Sequence, residues 1–392
     1  MIRKLLQQAS IALLISTASL ANAQQDGIYY AAHHDYRVVP VAEGLVQPWS
    51  MAWLPDGDVL VTEKPGRLRI IRDGNLLPEA VPGVPEVLWE LQGGLFEVVP
   101  HPDFENNRWI YLSYAKPQGG GSTTAIARAR LENDRLTNVV DIFVAQAIEG
   151  RAGHYGGKIA FDDNGYLFLT HGDRIVMPNG DEEALRAHPA QDLSNHNGVI
   201  IRLNDDGTVP NDNPFVGDSN ALPEIWSYGH RSPQGLTFHP MTGDLWMSEH
   251  GPQGGDEVNL VEPGENYGWP VFGFGVNYVT GTPIHAAISS TDSVRPAHVW
   301  VPSIATSGLI AYSGDKFPMW RGSLFAGALA GEKLARLQLS ADYKEVVLEE
   351  TLAYNMGRIR DVRQGPDGYI YLAVSDRSDQ PISSIVRLEP VE

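Results

Sequence analysis

One phrase recurs along this chain and limits what it can fold into: an apolar run, a turn containing Pro, Asp or Gly, then a second apolar run. It reads MAWLPDGDVLVTEK at 51–64, VVPHPDFENNRWIYLSYA at 98–115 and IAFDDNGYLFLTHGD at 159–173. It returns as LTFHPMTGDLWMSEH at 236–250 and DVRQGPDGYIYLAVSD at 361–376, with a degenerate copy around MWRGSLFAGALAGEKLARLQL at 319–339. Val, Ile, Tyr and Trp suit a pleated, half-buried surface, and Asp-Gly or Asn-Gly between alternating runs is the strongest short-range hairpin signal. Six such hairpins, spaced irregularly by roughly 50 to 80 residues, predict an all-β fold of radially repeated four-stranded blades: a six-bladed β-propeller with inserted loops. A β-sandwich pair is the competing architecture, but its turns would lie closer together and would not repeat a strand–PDG–strand phrase. The run at 36–41 is expected to pair with the last one, at 384–388, in a single blade that protects both edges. No linker or low-complexity segment divides residues 24–392, so one domain is expected there.

The chain contains no cysteine, which removes disulfides, thiolate catalysis and Cys-ligated metals and leaves stability to a large core. Its first residues, MIRKLLQQASIALLISTASLANAQQ, read as an export signal. Arg3 and Lys4 form the positive end, a short apolar run follows, and Ala21-Asn22-Ala23 offers a small-x-small cleavage site with the cut after Ala23. The apolar run is too short to span a bilayer, so a periplasmic or secreted protein that is not membrane-embedded is expected. The formal net charge of -19 becomes -21 when Arg3 and Lys4 leave with residues 1–23. So acidic a surface repels nucleic acid and anionic membranes, and is compatible with neutral small molecules or metal cations.

The segment 248–270, SEHGPQGGDEVNLVEPGENYGWP, packs two Gly-Pro or Pro-Gly turns among acidic and aromatic residues, with little helical or strand period. Ordering such a loop-rich strip costs backbone entropy, which a bound ligand or metal can offset. Together with SYGHRSPQG at 227–235 and GRIRDV at 357–362, it resembles the soluble quinoprotein glucose/aldose sugar dehydrogenases. The resemblance runs from about Gly44 to Glu389. It implies a six-bladed propeller that uses pyrroloquinoline quinone (PQQ) and Ca2+ to oxidise aldose sugars, passing electrons to an external acceptor.

Residue by residue, the chemistry of each side chain and the resemblance can be weighed together. His154, in AGHYGG, lies among glycines just before a predicted strand; a neutral imidazole there can take a proton from a sugar hydroxyl. Alone it would more often be structural, and the resemblance assigns it the general base. Gln92, in LQGGLFEVVPHPDF, matches a family position that reaches substrate or quinone, while Glu97 stands where relatives often have a small residue. Arg231, in HRSPQG, offers a planar fork of donors to a carboxylate or an ortho-quinone oxygen. Ser232 takes the place of an Asn that touches the cofactor in many relatives. Arg358 and Arg360 are spaced i, i+2 on an expected strand and share one face, where two cations repel unless an anion sits between them; PQQ carries three carboxylates. Gly251 and Pro252 would contribute backbone carbonyl oxygens to a Ca2+ shared with the cofactor, and Glu257 and Tyr267 match a second calcium position in some relatives. A lysine that relatives often carry in the fifth blade is absent: Ala330 stands there, with Lys333 or Arg336 as the nearby substitutes. Two other functions compete with the dehydrogenase: a non-catalytic sugar- or protein-binding propeller, and a calcium-dependent lactonase.

Overall fold

The repeated phrase forms the first hairpin of a blade. In the computed structural model, which describes residues 27–147, 152–375 and 382–391, the turn after the first apolar run closes in the same way in three blades. Leu54 N donates to Asp58 O at 2.8 Å, Asp162 N to Tyr166 O at 3.0 Å and Gly365 N to Tyr369 O at 2.9 Å. Gly57, Gly165 and Gly368 occupy the left-handed position of these turns, at φ of 95°, 84° and 82°, which a residue without Cβ adopts at no steric cost. The expected export signal at 1–23 lies outside the described residues.

Six antiparallel sheets result, five of four strands and one of five. Blades one to five span residues 48–76, 95–144, 159–228, 233–300 and 306–352. Blade six combines Arg358–Gln364, Ile370–Ser375 and Ile382–Pro390 with Tyr36–Val46 and the short outer strand Ile28–Tyr29. The expected ring closure is present: Tyr36 lies opposite Pro390, Val38 opposite Leu388 and Pro40 opposite Val386. Each blade's first strand is innermost. Pro48–Trp53, Leu95–Pro100, Ile159–Phe161, Pro233–Phe238, Thr306–Ala311 and Arg358–Gln364 touch their neighbours in a ring around a central axis. Apolar clusters fill each gap between blades, as with Leu60, Leu95 and Leu112 between one and two, and Trp246, Leu309 and Leu324 between four and five. Each fully buried aliphatic side chain contributes about 1.5–3 kcal/mol, so the core is spread around the ring.

Two expectations need correction. The degenerate copy at 319–339 is displaced by one strand: it holds the second and third strands of blade five, Leu324–Ala328 and Leu334–Leu339, and the true first strand is Thr306–Ala311. A 3-10 turn, Pro318–Trp320, replaces the PDG turn and hides the repeat. The strip at 248–270 is also less irregular than its composition suggests, because Asp256–Val261 is the third strand of blade four, paired on both sides.

A buried ionic cluster crosses the axis. Lys158 Nζ lies 2.6 Å from Asp361 Oδ1 and makes an ion pair with Glu97 Oε2 at 3.0 Å. Arg363 binds the same two carboxylates, Ser50 Oγ bonds Glu97, and Met51 N donates to Asp361 Oδ2 at 3.3 Å. Residues of blades one, two and six, with Lys158 from the segment leading into blade three, are thus joined at one point. Glu97, the residue that stands where a small one was expected, is the centre of this cluster.

Candidate active site

First and second strands of a blade run antiparallel, so residues entering a first strand and residues leaving a second strand meet at the same face of the ring. The sequence-predicted Gln92, His154, Arg231, Arg358 and Arg360 all enter or begin first strands. Lys64, Asp173 and His250, which were not singled out, all follow second strands. Both sets converge on the same end of the axis.

His154 is buried in the left-handed backbone region, at φ 47°. Its Nδ1 lies 2.6 Å from Asp173 Oδ1, and its backbone N donates to Gln92 Oε1 at 2.8 Å. Asp173 is fixed in turn by Trp269 Nε1 at 2.7 Å and Ile175 N at 2.9 Å. An imidazole whose Nδ1–H is held by a carboxylate presents a lone pair on Nε2, the tautomer that a general base needs. Burial lowers the His154 pKa below its ordinary value; Asp173 opposes that shift and the nearby Arg231 adds to it. Burial alone would raise Asp173, but His154 and Arg231 outweigh it and hold the carboxyl below its usual range.

Beside this pair lies a cavity of about 230 Å³. Lys64, Arg358 and Arg360 line it together with Gln92, Gln234 and His250, and no carboxylate is among its lining residues. Arg360 Nη1 donates to Gln234 Oε1 at 3.0 Å and Arg358 Nη1 to Leu329 O at 3.1 Å. Burial and the neighbouring Arg358 push the Arg360 guanidinium down to about 10. His250 is held neutral, its pKa driven down to about 3 by burial and then by Arg360, Arg231 and His154. Its buried Nε2 has no protein partner among the described residues. Three cations and an unpartnered imidazole nitrogen, with no acid among them, make a cavity suited to a multiply charged anion with acceptor and donor edges. Ser232 is buried and does not line this cavity; its Oγ accepts from Gln234 Nε2 at 3.4 Å, and Gln234 carries the contact to Arg360.

Arg231 joins this region to a second one. Its Nη1 donates to Gly251 O at 2.7 Å and His250 O at 3.1 Å, and its guanidinium lies 5.2 Å from the Trp269 ring. Gly251, Pro252, Glu249, Glu257 and Tyr267 border a void of about 20 Å³, room for one water or one ion. Burial, together with the charge of Glu249, pushes the Glu257 carboxyl well above its usual range. The buried Glu249, the partly buried Glu257 and backbone carbonyls are an oxygen donor set suited to a hard cation. Tyr267 spends its hydroxyl on Leu260 O and Glu262 N, at 2.7 and 2.8 Å, which leaves only its carbonyl for a metal. Among the described residues there is no group of three or more His, Asp or Glu side chains that could hold a metal by themselves, so any ion here would depend on main-chain oxygens. No helix among the described residues is long and apolar enough to cross a membrane.

The two substitutes considered for the missing blade-five lysine are committed elsewhere. Lys333 pairs with Glu349 at 2.7 Å, and the buried Arg336 pairs with Glu350 at 2.7 Å. Neither lines the cavity.

A family model described as Glucose / Sorbosone dehydrogenase matches residues 45–385. The chain is 38% identical over 360 residues to the Aldose sugar dehydrogenase YliI of Escherichia coli, covering 90% of this chain and 93% of that one. A crystal structure of a glucose dehydrogenase superposes with a TM-score of 0.81 at 44% identity, over 89% of this chain and 98% of that chain. The PQQ-bound form of an aldose sugar dehydrogenase from Streptomyces coelicolor superposes at 0.71 and 26% identity, over 90% of this chain and 98% of the other. With the propeller fold and the convergence of the predicted residues at one face of it, this match across most of its length means that the chain belongs to the glucose/sorbosone dehydrogenase family and is a sugar dehydrogenase.

Proposed function

We propose that the protein is a periplasmic PQQ- and Ca2+-dependent aldose dehydrogenase that oxidises the anomeric C1 of its substrate to an aldonolactone. The observation that carries this reading is the placement of a His154–Asp173 pair beside a cavity lined by three cations and no carboxylate. That lining fits PQQ, whose carboxylates Arg358 and Arg360 would hold, with Gln92 and Arg231 reaching the reacting edge. The chemistry that PQQ supplies when bound is acceptance of the hydride from C1.

His154 would remove the anomeric hydroxyl proton at Nε2, while Asp173 holds the ring and balances the imidazolium that forms. Gln92 fixes the height of His154 through the bond to its backbone N. Arg231 would stabilise negative charge growing at the acceptor, as would a Ca2+ held by the carbonyls of Gly251 and Pro252. Loading that ion requires Arg231 to share or release Gly251 O. Glu257, with Glu249 and the Tyr267 carbonyl, would hold the one cation that the void of about 20 Å³ has room for, apart from the Ca2+ shared with the cofactor. Export through residues 1–23 places the reaction outside the cytoplasm, with an external quinone, cytochrome or dye taking the electrons.

The test is reconstitution of the mature protein with PQQ and Ca2+, followed by dye reduction with a panel of aldoses. Turnover that requires both additions is expected. PQQ binding without turnover on any aldose would overturn the substrate assignment, and absence of PQQ binding would leave a sugar- or protein-binding propeller.

A further inference from the structure

We propose that Lys64, from blade one, supplies the third cation of the cofactor cavity and binds the carboxylate for which blade five offers no lysine. The inference rests on the PQQ reading, which counts Lys64 among the cations of the cavity but assigns it no contact with the cofactor. Lys64 follows the second strand of blade one, directly after the pairing of Glu63 with Pro48. His250 holds the equivalent place in blade four, after Glu249 pairs with Pro233, and Leu329 does so in blade five, after Ala328 pairs with Thr306. All three line the cavity. Of these equivalent positions, blade five has an aliphatic residue and blade one has the ammonium.

The backbone of Lys64 is fixed from both sides, its N donating to Gln47 O at 3.0 Å and its O accepting from Leu95 N at 3.0 Å. Gly94, at φ 155°, makes room for it: a Cβ there would lie 2.4 Å from Lys64 O and 2.5 Å from Lys64 Cγ. The second glycine of LQGGLF is therefore tied to the path of this lysine. Its Nζ donates to Leu91 O at 2.8 Å, one bond for a group with three donors. No carboxylate lines the cavity to neutralise it. Burial, with Arg360 and Arg358 nearby, lowers its pKa to about 8, as expected for an ammonium held close to two other cations. Lys333 and Arg336 cannot take the role while they bind Glu349 and Glu350.

The experiment is titration of the full mature apoprotein with PQQ, followed by quenching of tryptophan fluorescence, for wild type, Lys64→Gln, Lys64→Arg and Lys333→Gln. Lys64→Gln is expected to bind about 10- to 100-fold more weakly, the loss typical of one charge-assisted contact, and to show a shallower dependence on salt. Lys64→Arg should stay within a few-fold of wild type, and Lys333→Gln should match it. Wild-type affinity should also fall as pH rises through about 8 and the ammonium is lost. Arg358, Arg360 and the neutral His250 share the cavity, and Lys64→Arg should flatten that step. Unchanged thermal unfolding of the apoprotein variants separates a binding effect from misfolding. Equal affinity of wild type and Lys64→Gln, or a loss confined to Lys333→Gln, would overturn the assignment of Lys64 and leave the dehydrogenase intact. A wild type that does not bind PQQ would overturn both.

Discussion

Replacing Lys158 by methionine tests whether the axial ion cluster holds the ring beneath the site. Lys158, Glu97 and Asp361 are buried, and Arg363 is largely so. The cluster holds two positive and two negative groups, so Lys158→Met leaves both carboxylates to Arg363 and one negative charge uncompensated. Removing one partner of a buried ion pair costs about 3–5 kcal/mol, chiefly the penalty on the charge left behind. For about 370 residues the unfolding entropy is about 0.8 kcal/mol/K, so the expected fall in Tm is about 4–6 °C by calorimetry of the apoprotein. Adding Glu97→Gln restores charge balance with Asp361 and Arg363 and should recover at least half of that loss, a coupling visible in a double-mutant cycle. Lys333→Met, which breaks the more exposed pair with Glu349, should cost less than about 1.5 °C. If Lys158→Met costs no more than Lys333→Met, or if Glu97→Gln deepens the loss, the cluster does not stabilise the ring in this way.

Two further outcomes follow from the charge states of the site. Because burial lowers the His154 pKa, its imidazole stays neutral, and able to accept a proton, at pH values where an ordinary histidine is charged. The acid limb of kcat/KM should therefore have its midpoint below 6.5, and a midpoint at or above 7 would exclude His154 as the base. The raised Glu257 carboxyl is protonated at low pH, and proton and cation compete for it. Ca2+ at about 100 times its Kd should stabilise by about 2.7 kcal/mol, or about 3 °C, at pH 8 and by clearly less at pH 5. Glu257→Gln should remove that pH dependence, and an equal rise at both pH values in wild type would count against Glu257 as a ligand.

The propeller was legible because blades one, three and six announce the first hairpin through a turn that needs Gly in the left-handed region, at Gly57, Gly165 and Gly368. Where a short 3-10 segment, Pro318–Trp320, does that work in blade five, the repeat was mistaken by one strand. Residues that begin first strands were found because they sit in motifs of six or more residues, such as HRSPQG and GRIRDV. Lys64, Asp173 and His250 were missed because each is the unmarked end of a repeat: TEK, HGD and SEH. Aligning those ends blade against blade would have placed Lys64 and His250 together, since both directly follow the residue that pairs with the start of a first strand. The pairing of Asp173 with His154, and of Glu97 with Lys158 and Arg363, depends on contacts between blades. No periodicity along a single chain records such contacts.

The most direct test measures PQQ affinity and aldose turnover side by side for the mature wild type and His154→Ala. His154→Ala should bind PQQ within a few-fold of wild type, while turnover in the presence of PQQ and Ca2+ should fall by about 10²–10⁴, the usual contribution of a general base. Turnover retained by His154→Ala, or loss of turnover matched by loss of PQQ binding, would contradict the assignment of His154 as the group that takes the substrate proton.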